Sequence, residues 1–456
     1  MKFFLKRFGR IGKAEIRLDG LTVIAGPNGS GKSTVSRALY TWFTFLRQFG
    51  RELPLERATI IGDDIKSLLR QHGVPEPMAS RFMPTYFRNR LPSKILDRSF
   101  WLDETASRDW WTERVRRVLP RWSSTNEDIF HAAEFYSQVK KQVLSRLDME
   151  DEKLERFILE RYFLRAFDGQ IGTLFDGQAE SEVVLTNDAG DSQGCSFRGG
   201  KVHELLNVQD AAADAYRSLQ MFYLEPRHLM DELPSVVAGK RGAGMRRPQD
   251  HRYSAEPDQR WESVLAKSLD RKDMSFVQSE RLSPIIEELD KIVSVIHGEI
   301  DIKERSLVFK DVDIPGDNAV SLLNIASGVK SIAAIIRGFR NDSIHPGDIL
   351  IVDEPESNLH PEWQLSFAKF LVLLHARLDM RILLNTHSPY FLKAVEVYSD
   401  LLEQGGDCAF YNMTSEDRRL YEAECVTGQR IQEIFKSMSA PFSRLMHGDH
   451  YERTVS

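Results

Sequence analysis

The sequence of 456 residues has few cysteines, no long apolar run and little net charge. Its three cysteines, Cys195, Cys408 and Cys425, are scattered, which argues against a disulfide framework or a zinc site and favours a reducing, cytoplasmic environment. No apolar stretch approaches the ~20 residues that cross a bilayer, so we expect no membrane segment. The amino terminus is basic and rich in phenylalanine but lacks a small-residue cleavage site, which predicts a first strand and not a signal peptide.

The chain is mildly acidic, with 61 basic and 67 acidic residues and a net charge of −6. That balance does not resemble a dedicated nucleic-acid coat, although a local basic face can still bind DNA. A candidate face lies in the segment GKRGAGMRRPQDHRY, for which a solvated, flexible loop is the alternative. Its basic residues include Lys240, Arg241, Arg246, Arg247 and Arg252.

The segment LTVIAGPNGSGKST, from Leu21 to Thr34, is the most specific feature of the chain. Leu21 to Ala25 predict a buried strand, and Ser33 to Trp42 can start a helix immediately afterwards. The turn between them matches G-x-x-x-x-G-K-[ST] without a mismatch, so it predicts a loop whose backbone N–H groups converge on the phosphates of ATP. The predicted nucleotide-binding residues are Gly26, Pro27, Asn28, Gly29, Ser30, Gly31, Lys32, Ser33 and Thr34.

A lysine and a hydroxyl in this loop have predicted chemical roles. Lys32 is expected to reach the β- and γ-phosphates, and the Ser33 hydroxyl is expected to bind Mg²⁺. A second segment, GDILIVDEPESNLHPEWQ, supplies carboxylates, because Ile349 to Val352 predict a strand covered on both faces and Asp353 and Glu354 follow at its carboxyl end. We expect Asp353 to hold Mg²⁺ through water and Glu354 to act as the general base for the attacking water.

The segment VDEPESNLHP, followed by LLNTHSPYF, resembles the ATP-binding-cassette class of P-loop ATPases, and more narrowly its SMC, RecF and OLD branch, often labelled AAA-like. The resemblance implies an α/β fold, an ATPase head with a mixed or parallel sheet flanked by helices, interrupted here by a large, mainly helical insertion. It also implies that His387 senses the γ-phosphate, where an imidazole can donate a hydrogen bond and help to position the water. The segment that matches the family's D-loop consists of Glu356, Ser357, Asn358, Leu359 and His360.

The same resemblance implies a signature loop that contacts the ATP held by an opposite subunit, so that two heads pair head to tail across two nucleotides. NIASGVKSIAAII occupies the expected place, and a serine and a glycine at a helix N-terminus can bind an anion. The segment differs from the LSGGQ of transporters, and a simple helix N-cap is the alternative. The residues assigned to this loop are Ala326, Ser327, Gly328 and Lys330. For the family's Q-loop glutamine, Gln170 and Gln220 are both candidates.

The motifs divide the chain into a split head and an insertion. The predicted segments are residues 1–42 with the Walker A sequence, 43–167 as a mainly helical insertion, 168–440 as the remainder of the head, and 441–456 as a tail. Within the remainder, Val183 to Thr186 and Cys195 to Arg198 predict two strands joined by a turn. No heptad array persists in the insertion, which excludes a long coiled-coil arm.

Together these features predict a nucleotide-gated dimeric switch that hydrolyses ATP, with ATP and Mg²⁺ as cofactors. The resemblance to ATPase subunits of bacterial anti-phage defence systems implies a separate effector protein, such as a nuclease, and DNA or a phage-derived molecule as a candidate trigger. Only 66 residues follow Tyr390, too few for the Toprim nuclease domain that some OLD-type ATPases carry. The alternatives are a RecF-like DNA-repair ATPase, which predicts DNA-stimulated hydrolysis, and a scaffold that holds ATP without turnover.

Overall fold

The chain is described by a computed structural model over most of its length. The described residues are 1–82, 93–118, 133–208, 219–224, 261, 264, 276–293, 298–303, 306–311, 320–321, 327–357, 359–402, 407–426 and 430–446. Two compact units are present: the head unit, made of Met1–Arg47 and Arg161–Ser456, and the helical unit, Gln48–Glu160. The helical unit falls within the predicted insertion of residues 43–167.

The described residues form the following strands and helices. The strands are β1 (Lys2–Phe8), β2 (Ile11–Arg17), β3 (Leu21–Ala25), β4 (Ser181–Thr186), β5 (Ser192–Arg198), β6 (Lys201–Leu206), β7 (Met221–Leu224), β8 (Gly298–Lys303), β9 (Ser306–Asp311), β10 (Val320–Ser321), β11 (Ile349–Asp353), β12 (Arg381–Thr386), β13 (Cys408–Thr414) and β14 (Tyr421–Val426). The helices are α1 (Lys32–Gln71), α2 (Glu76–Phe82), α3 (Ser93–Leu96), α4 (Arg98–Leu102), α5 (Glu104–Val118), α6 (Ala133–Leu147), α7 (Asp151–Ala166), α8 (Phe276–Val293), α9 (Ser327–Arg340), α10 (Pro361–Leu378), α11 (Pro389–Leu401) and α12 (Arg430–Met446).

The head unit is built on one large mixed sheet with the strand order β6-β5-β4-β1-β2-β14-β13-β3-β12-β11-β7. Its second half, from β13 to β7, is parallel throughout, whereas β6, β5, β4, β1 and β2 pair antiparallel. Buried apolar residues of the parallel strands pack with residues of α9, α10 and α11 in one core. A mixed sheet flanked by helices confirms the predicted α/β class of the head.

The centre of the sheet brings together strands that are far apart in the sequence. Every residue of β3 and of β11 is buried, as expected for central parallel strands covered on both faces. Strand β12 lies between them, and its Leu384 pairs with Val23 of β3 on one side and with Val352 of β11 on the other. Because the three strands are parallel and in register, their carboxyl ends meet at the same edge of the sheet.

The predicted strand pair and the starts of two helices can be located among these elements. The predicted strand pair is β4 and β5, in which Val183 pairs with Cys195. Helix α11 begins after Ser388, whose hydroxyl accepts a hydrogen bond from Phe391 N at 3.2 Å, and Pro389 occupies the first turn, where its missing N–H costs nothing. Helix α1 starts one residue before the predicted Ser33 and continues to Gln71, within the segment predicted to be mainly helical. No helix within the described residues is both long and apolar enough to span a membrane.

The helical unit has a separate apolar core. Trp101, Trp111, Phe135 and Val139 are buried in it, and the indole N–H of Trp101 donates to the carbonyl of Ile95 at 3.2 Å. A buried indole that finds a partner in this way avoids the penalty of an unsatisfied donor. The insertion therefore contains enough apolar packing to form a compact body of its own.

Close packing inside the head unit gives a stability prediction. A Cβ added to Gly338 of α9 would lie 2.4 Å from Ile344 Cδ1 and 2.6 Å from Ile344 Cγ1, so Gly338→Ala overpacks the core. We expect this substitution to destabilise the head unit by about 1–3 kcal/mol, seen as a lower urea midpoint followed by tryptophan fluorescence. Gly338→Ala combined with Ile344→Val should recover part of the loss.

The control for that substitution is Gly177→Ala. No atom lies within 4 Å of the added Cβ at Gly177, so its urea midpoint should stay close to that of the unchanged chain. Equal midpoints for the two alanine variants would contradict the packing described for α9.

Candidate nucleotide-binding site

The turn between β3 and α1, here called the phosphate loop, packs against residues of β2 and β13. Gly29 and Gly31 adopt φ values of +75° and +94°, a left-handed region that favours glycine. A Cβ on Gly31 would lie 2.5 Å from Ile11 Cδ1, and one on Gly26 would lie 2.7 Å from Met413 Cβ. The glycines of the motif are therefore required both by backbone conformation and by close packing, and the loop opens a helix N-terminus suited to an anion.

The lysine of the motif is buried and lies among carboxylates. Lys32 is 5% exposed, and its Nζ donates to two carbonyls of the phosphate loop at 2.9 and 3.0 Å. Burial lowers the pKa of Lys32, and the negative charges of Asp353, Glu356 and Glu354 oppose that shift. The amino-terminal loop and the acidic segment more than 300 residues later thus form one electrostatic environment, as the sequence predicts.

Asp353, at the end of β11, is fixed by two donors. Tyr223 Oη donates to its Oδ2 at 3.1 Å, and Asn385 Nδ2 donates to its Oδ1 at 3.1 Å. Asn385 Nδ2 also donates to Ser36 Oγ of α1 at 2.7 Å, so one amide connects the helix after the phosphate loop to the carboxylate. Asp353 itself is 3% exposed. Sequence reasoning missed Tyr223 and Asn385, although a polar Asn385 in the otherwise apolar run ILLN is a readable signal.

Glu354, the residue after Asp353, has an unusual backbone conformation. Its φ is +48°, a left-handed conformation that costs a non-glycine residue roughly 1–2 kcal/mol. The conformation is held by the hydrogen bond from Glu354 N to Asn385 O at 2.9 Å, and Ser357 Oγ lies 3.2 Å from Glu354 Oε2 as a donor. The side chain of Glu354 is 24% exposed, in contrast to the buried Asp353, so it is the carboxylate of the pair that reaches an accessible position.

Glu356 connects this turn to the segment that carries His387. Its Oε1 accepts hydrogen bonds from Thr386 Oγ1 at 2.8 Å, His387 N at 2.7 Å and Ser388 N at 3.0 Å. Burial raises the pKa of Glu356, and the bond from His387 N opposes the rise. His387 Nδ1 lies 3.2 Å from Glu356 Oε1 and 3.9 Å from Glu354 Oε1, so the imidazole sits next to the predicted base.

Other residues of the predicted D-loop differ in their surroundings. Glu356 is 5% exposed and points into the head unit, while His360 is exposed and caps the N-terminus of α10 by accepting from Glu362 N at 3.4 Å. Leu359 is buried and belongs to the core. Asn358 lies outside the described residues.

The predicted signature residues are only partly described. Ser327 is the first residue of α9 and Gly328 the second, and Ala326 lies outside the described residues. Lys330, in the first turn of α9, is 4% exposed. The assignment of these four residues to a signature loop stays a prediction.

The two glutamine candidates for the Q-loop lie in different places. Gln220 precedes β7, and its N donates to Asp348 Oδ1 at 2.9 Å before β11 begins, so it lies at the edge of the sheet opposite to Asp353. Gln170 is exposed in the turn that follows α7. The position of Gln220 removes it from the nucleotide edge. The basic segment of residues 240–252 lies outside the described residues.

Arg10, in the turn between β1 and β2, is a further site residue that sequence reasoning missed. Its Nη1 donates to Gly29 O at 3.0 Å and its Nη2 to Arg418 O at 3.5 Å. The guanidinium therefore lies on the rim of the phosphate loop. The only signal in the sequence was an arginine in a predicted turn between two strands, which is too common to be specific.

ATP and Mg²⁺ fit the residues of this site. The buried Ser30 Oγ has no hydrogen-bond partner among the described residues, as expected for a polar group turned toward an anion. Ser33 and Asp353 supply a hydroxyl and a carboxylate, the oxygen ligands that Mg²⁺ prefers. The side chains of Glu354 and His387 are 24% and 37% exposed, respectively. The arrangement can bind a nucleoside triphosphate and activate a water molecule against it.

Comparison with known proteins agrees with this geometry. The family model described as "AAA domain, putative AbiEii toxin, Type IV TA system" matches residues 159–393, about half of the chain, a range that includes the acidic segment and His387. No curated protein matches the chain.

Three solved structures resemble the chain distantly. An SMC head domain from Thermotoga maritima is 12% identical, with 94% of this chain and 98% of that chain covered and a TM-score of 0.37. An SMC head bound to the C-terminal winged-helix domain of ScpA is 10% identical, with 95% and 98% covered and a TM-score of 0.40. An SMC head with an extended coiled coil, bound to the C-terminal domain of ScpA derived from Pyrococcus furiosus, is also 10% identical, with 96% and 98% covered and a TM-score of 0.40. Likenesses this weak do not bear on what the chain does.

The two donors to Asp353 give a prediction for metal binding. Asn385→Ala and Tyr223→Phe each remove one hydrogen bond to the carboxylate, so Asp353 is less firmly oriented toward Mg²⁺. We expect each variant to need about 10-fold more Mg²⁺ for half-maximal binding of a fluorescent ATP analogue, the effect typical of removing a partner of a metal ligand.

The control is Tyr411→Phe, because the Tyr411 hydroxyl is also buried but accepts a hydrogen bond from Arg17 N, away from Asp353. It should leave the Mg²⁺ requirement unchanged. If all three variants titrated with Mg²⁺ like the unchanged chain, Asn385 and Tyr223 would have no role in holding the metal.

Proposed function

Since the chain belongs to this AAA-domain family of P-loop ATPases, we propose that it hydrolyses Mg-ATP and works as a nucleotide-gated dimeric switch for a partner protein. The observation that carries the proposal is the convergence of Lys32, Asp353, Glu354 and His387 at one edge of the parallel sheet. Each of these groups has a distinct part in phosphoryl transfer, and all four are needed for turnover.

Hydrolysis follows from the exposure and charge of these residues. Glu354 takes a proton from water while the water oxygen attacks the γ-phosphorus and the bond to the bridging oxygen of ADP breaks. Lys32 binds the β- and γ-phosphates in exchange for its present carbonyl partners, and His387 donates to a γ-phosphate oxygen. Ser33 and Asp353 would hold Mg²⁺, which would supply positive charge against the charge that develops on the phosphate oxygens.

The dimeric part of the proposal concerns the start of α9. In a head-to-tail pair, Ser327 and Gly328 of one subunit would contact the ATP held by the other, where the N-terminus of a helix attracts an anion. The start of a described 14-residue helix at Ser327 supports this role. Closing and opening of such a pair would be the signal passed to a partner.

The partner we propose is a separate effector, such as a nuclease, in a bacterial anti-phage defence system. The family description names a putative AbiEii toxin of a Type IV TA system, and that name is the support for a defence role. DNA or a phage-derived molecule is the proposed trigger. A soluble, cytoplasmic location fits a protein with this role.

Two substitutions test catalysis and switching separately. Lys32→Ala should lower the rate of ATP hydrolysis by about 100-fold or more, because a buried charge that stabilises the transition state is lost. Glu354→Gln should lower the rate to a similar extent while ATP stays bound, so that size-exclusion chromatography with light scattering shows an ATP-dependent dimer. Lys201→Ala and Glu204→Gln, at exposed positions of β6, are the matched controls and should behave like the unchanged chain.

The outcomes separate the alternatives. An unchanged chain that binds ATP without hydrolysing it, and a Glu354→Gln variant that behaves identically, would point to a scaffold. Hydrolysis that rises several-fold with duplex DNA at low salt, and loses that rise at high salt, would favour the RecF-like alternative. A chain that neither binds nor consumes ATP would contradict the proposed function altogether.

A further inference from the structure

The short loop of residues 172–175, here called the rim loop, is hydrogen-bonded to the turn between β1 and β2. Gly9 N donates to Gly172 O at 2.8 Å, and Leu174 N donates to Gly9 O at 3.2 Å. These two bonds make a parallel bridge between Gly9 and Thr173. Thr173 Oγ1 also accepts from Phe175 N at 3.4 Å, so the backbone of the rim loop is held at several points.

The turn that holds the rim loop also contacts the phosphate loop. A Cβ built on Gly9 would lie 3.3 Å from Thr34 Cγ2, and the neighbouring Arg10 donates to Gly29 O at 3.0 Å. A single residue, Gly9, thus separates the rim loop from the last residue of the nucleotide-binding motif. The rim loop therefore borders the phosphate loop on the side of Thr34.

That side is the one from which a nucleoside would extend. The γ-phosphate end of the site is marked by Asp353, Glu354 and His387, which none of the rim-loop contacts involve. A triphosphate whose γ-phosphate lies next to these residues has its α-phosphate and nucleoside at the opposite end. The turn at Gly9 approaches Thr34 on this side, and the rim loop is hydrogen-bonded to that turn.

The rim loop presents apolar side chains at this position. Leu174 is 56% exposed and Phe175 is 46% exposed, although their backbone is held by hydrogen bonds. Exposed apolar residues on a held backbone beside a polar phosphate site provide the type of surface that a flat, weakly polar base covers. A base has a π-face that stacks on an aromatic ring, and alanine substitutions show that such stacking contributes substantially to binding.

We propose that Leu174 and Phe175 form an apolar platform for the base of the bound nucleotide. The platform extends the phosphate loop into a complete nucleotide site and rests on the proposed function, because it requires a nucleoside triphosphate at Lys32. Stacking on one face distinguishes a nucleoside from bare phosphate but not adenine from guanine. The platform therefore contributes affinity for ATP, and choice of purine depends on other residues.

The experiment compares ATP with inorganic tripolyphosphate, which has the phosphates but no base. Displacement of a fluorescent ATP analogue, with Mg²⁺ present, gives the affinity for each. The double substitution Leu174→Ser with Phe175→Ser should weaken ATP about tenfold and GTP by a similar factor, and leave tripolyphosphate unchanged. Phe175→Trp should retain ATP affinity, and Lys32→Ala should weaken ATP and tripolyphosphate alike.

The matched control is Phe157→Ser, since Phe157 is 45% exposed but belongs to the helical unit. It should bind both ligands like the unchanged chain, and thermal melting should show that all variants fold. Equal weakening of ATP and tripolyphosphate in the double variant, or no weakening of either, overturns the platform while the proposed function stands. An unchanged chain that binds neither ligand overturns both.

Discussion

Parallel pairing of β3, β12 and β11 is the constraint on which the rest of the site depends. Parallel neighbours run from one edge of the sheet to the same opposite edge. The residues that follow β3, near the amino terminus, therefore lie close to those that follow β12 and β11, in the last third of the chain. The phosphate loop follows β3, Asp353 and Glu354 end β11, and His387 follows β12. A register shift of one residue between β12 and β11 would turn Asp353 to the opposite face of the sheet.

The buried charges of the site are tolerated because each has partners. Removing a carboxylate or an ammonium from water costs several kcal/mol unless hydrogen bonds and opposite charges replace the water. Asp353 has Tyr223 and Asn385, Glu356 has Thr386 and two backbone N–H groups, and Lys32 has carbonyls and the surrounding carboxylates. These hydrogen bonds hold the buried groups in place, and the more exposed Glu354 and His387 lie next to them.

The strained backbone of Glu354 is held by the same residue that holds Asp353. Its left-handed φ is stabilised by a hydrogen bond to the carbonyl of Asn385, the residue whose side chain holds Asp353. One residue of β12 thus positions both members of the acidic pair, one through its main chain and the other through its side chain. Strain at a residue that is held this firmly is typical of a functional position.

The sequence allowed the site to be predicted where the chemistry is local. The glycines, Lys32 and Ser33 lie in one short run with a fixed spacing, and an apolar strand ending in Asp353 and Glu354 can be recognised in the same way. The inward direction of Glu356 and the burial of Lys330 could not be predicted, because both depend on contacts with residues distant in the sequence. The continuation of α1 through Pro54 could not be predicted either, since a proline ordinarily ends or kinks a helix.

The crystal structure of the chain with Mg²⁺ and a non-hydrolysable ATP analogue tests the central claim most directly. The account predicts Lys32 Nζ within hydrogen-bonding distance of the β- or γ-phosphate, the metal between Ser33 and Asp353, and Glu354 facing the γ-phosphate. A nucleotide bound elsewhere, with Lys32 still donating to the carbonyls of Gly26 and Pro27 as it does here, would contradict it.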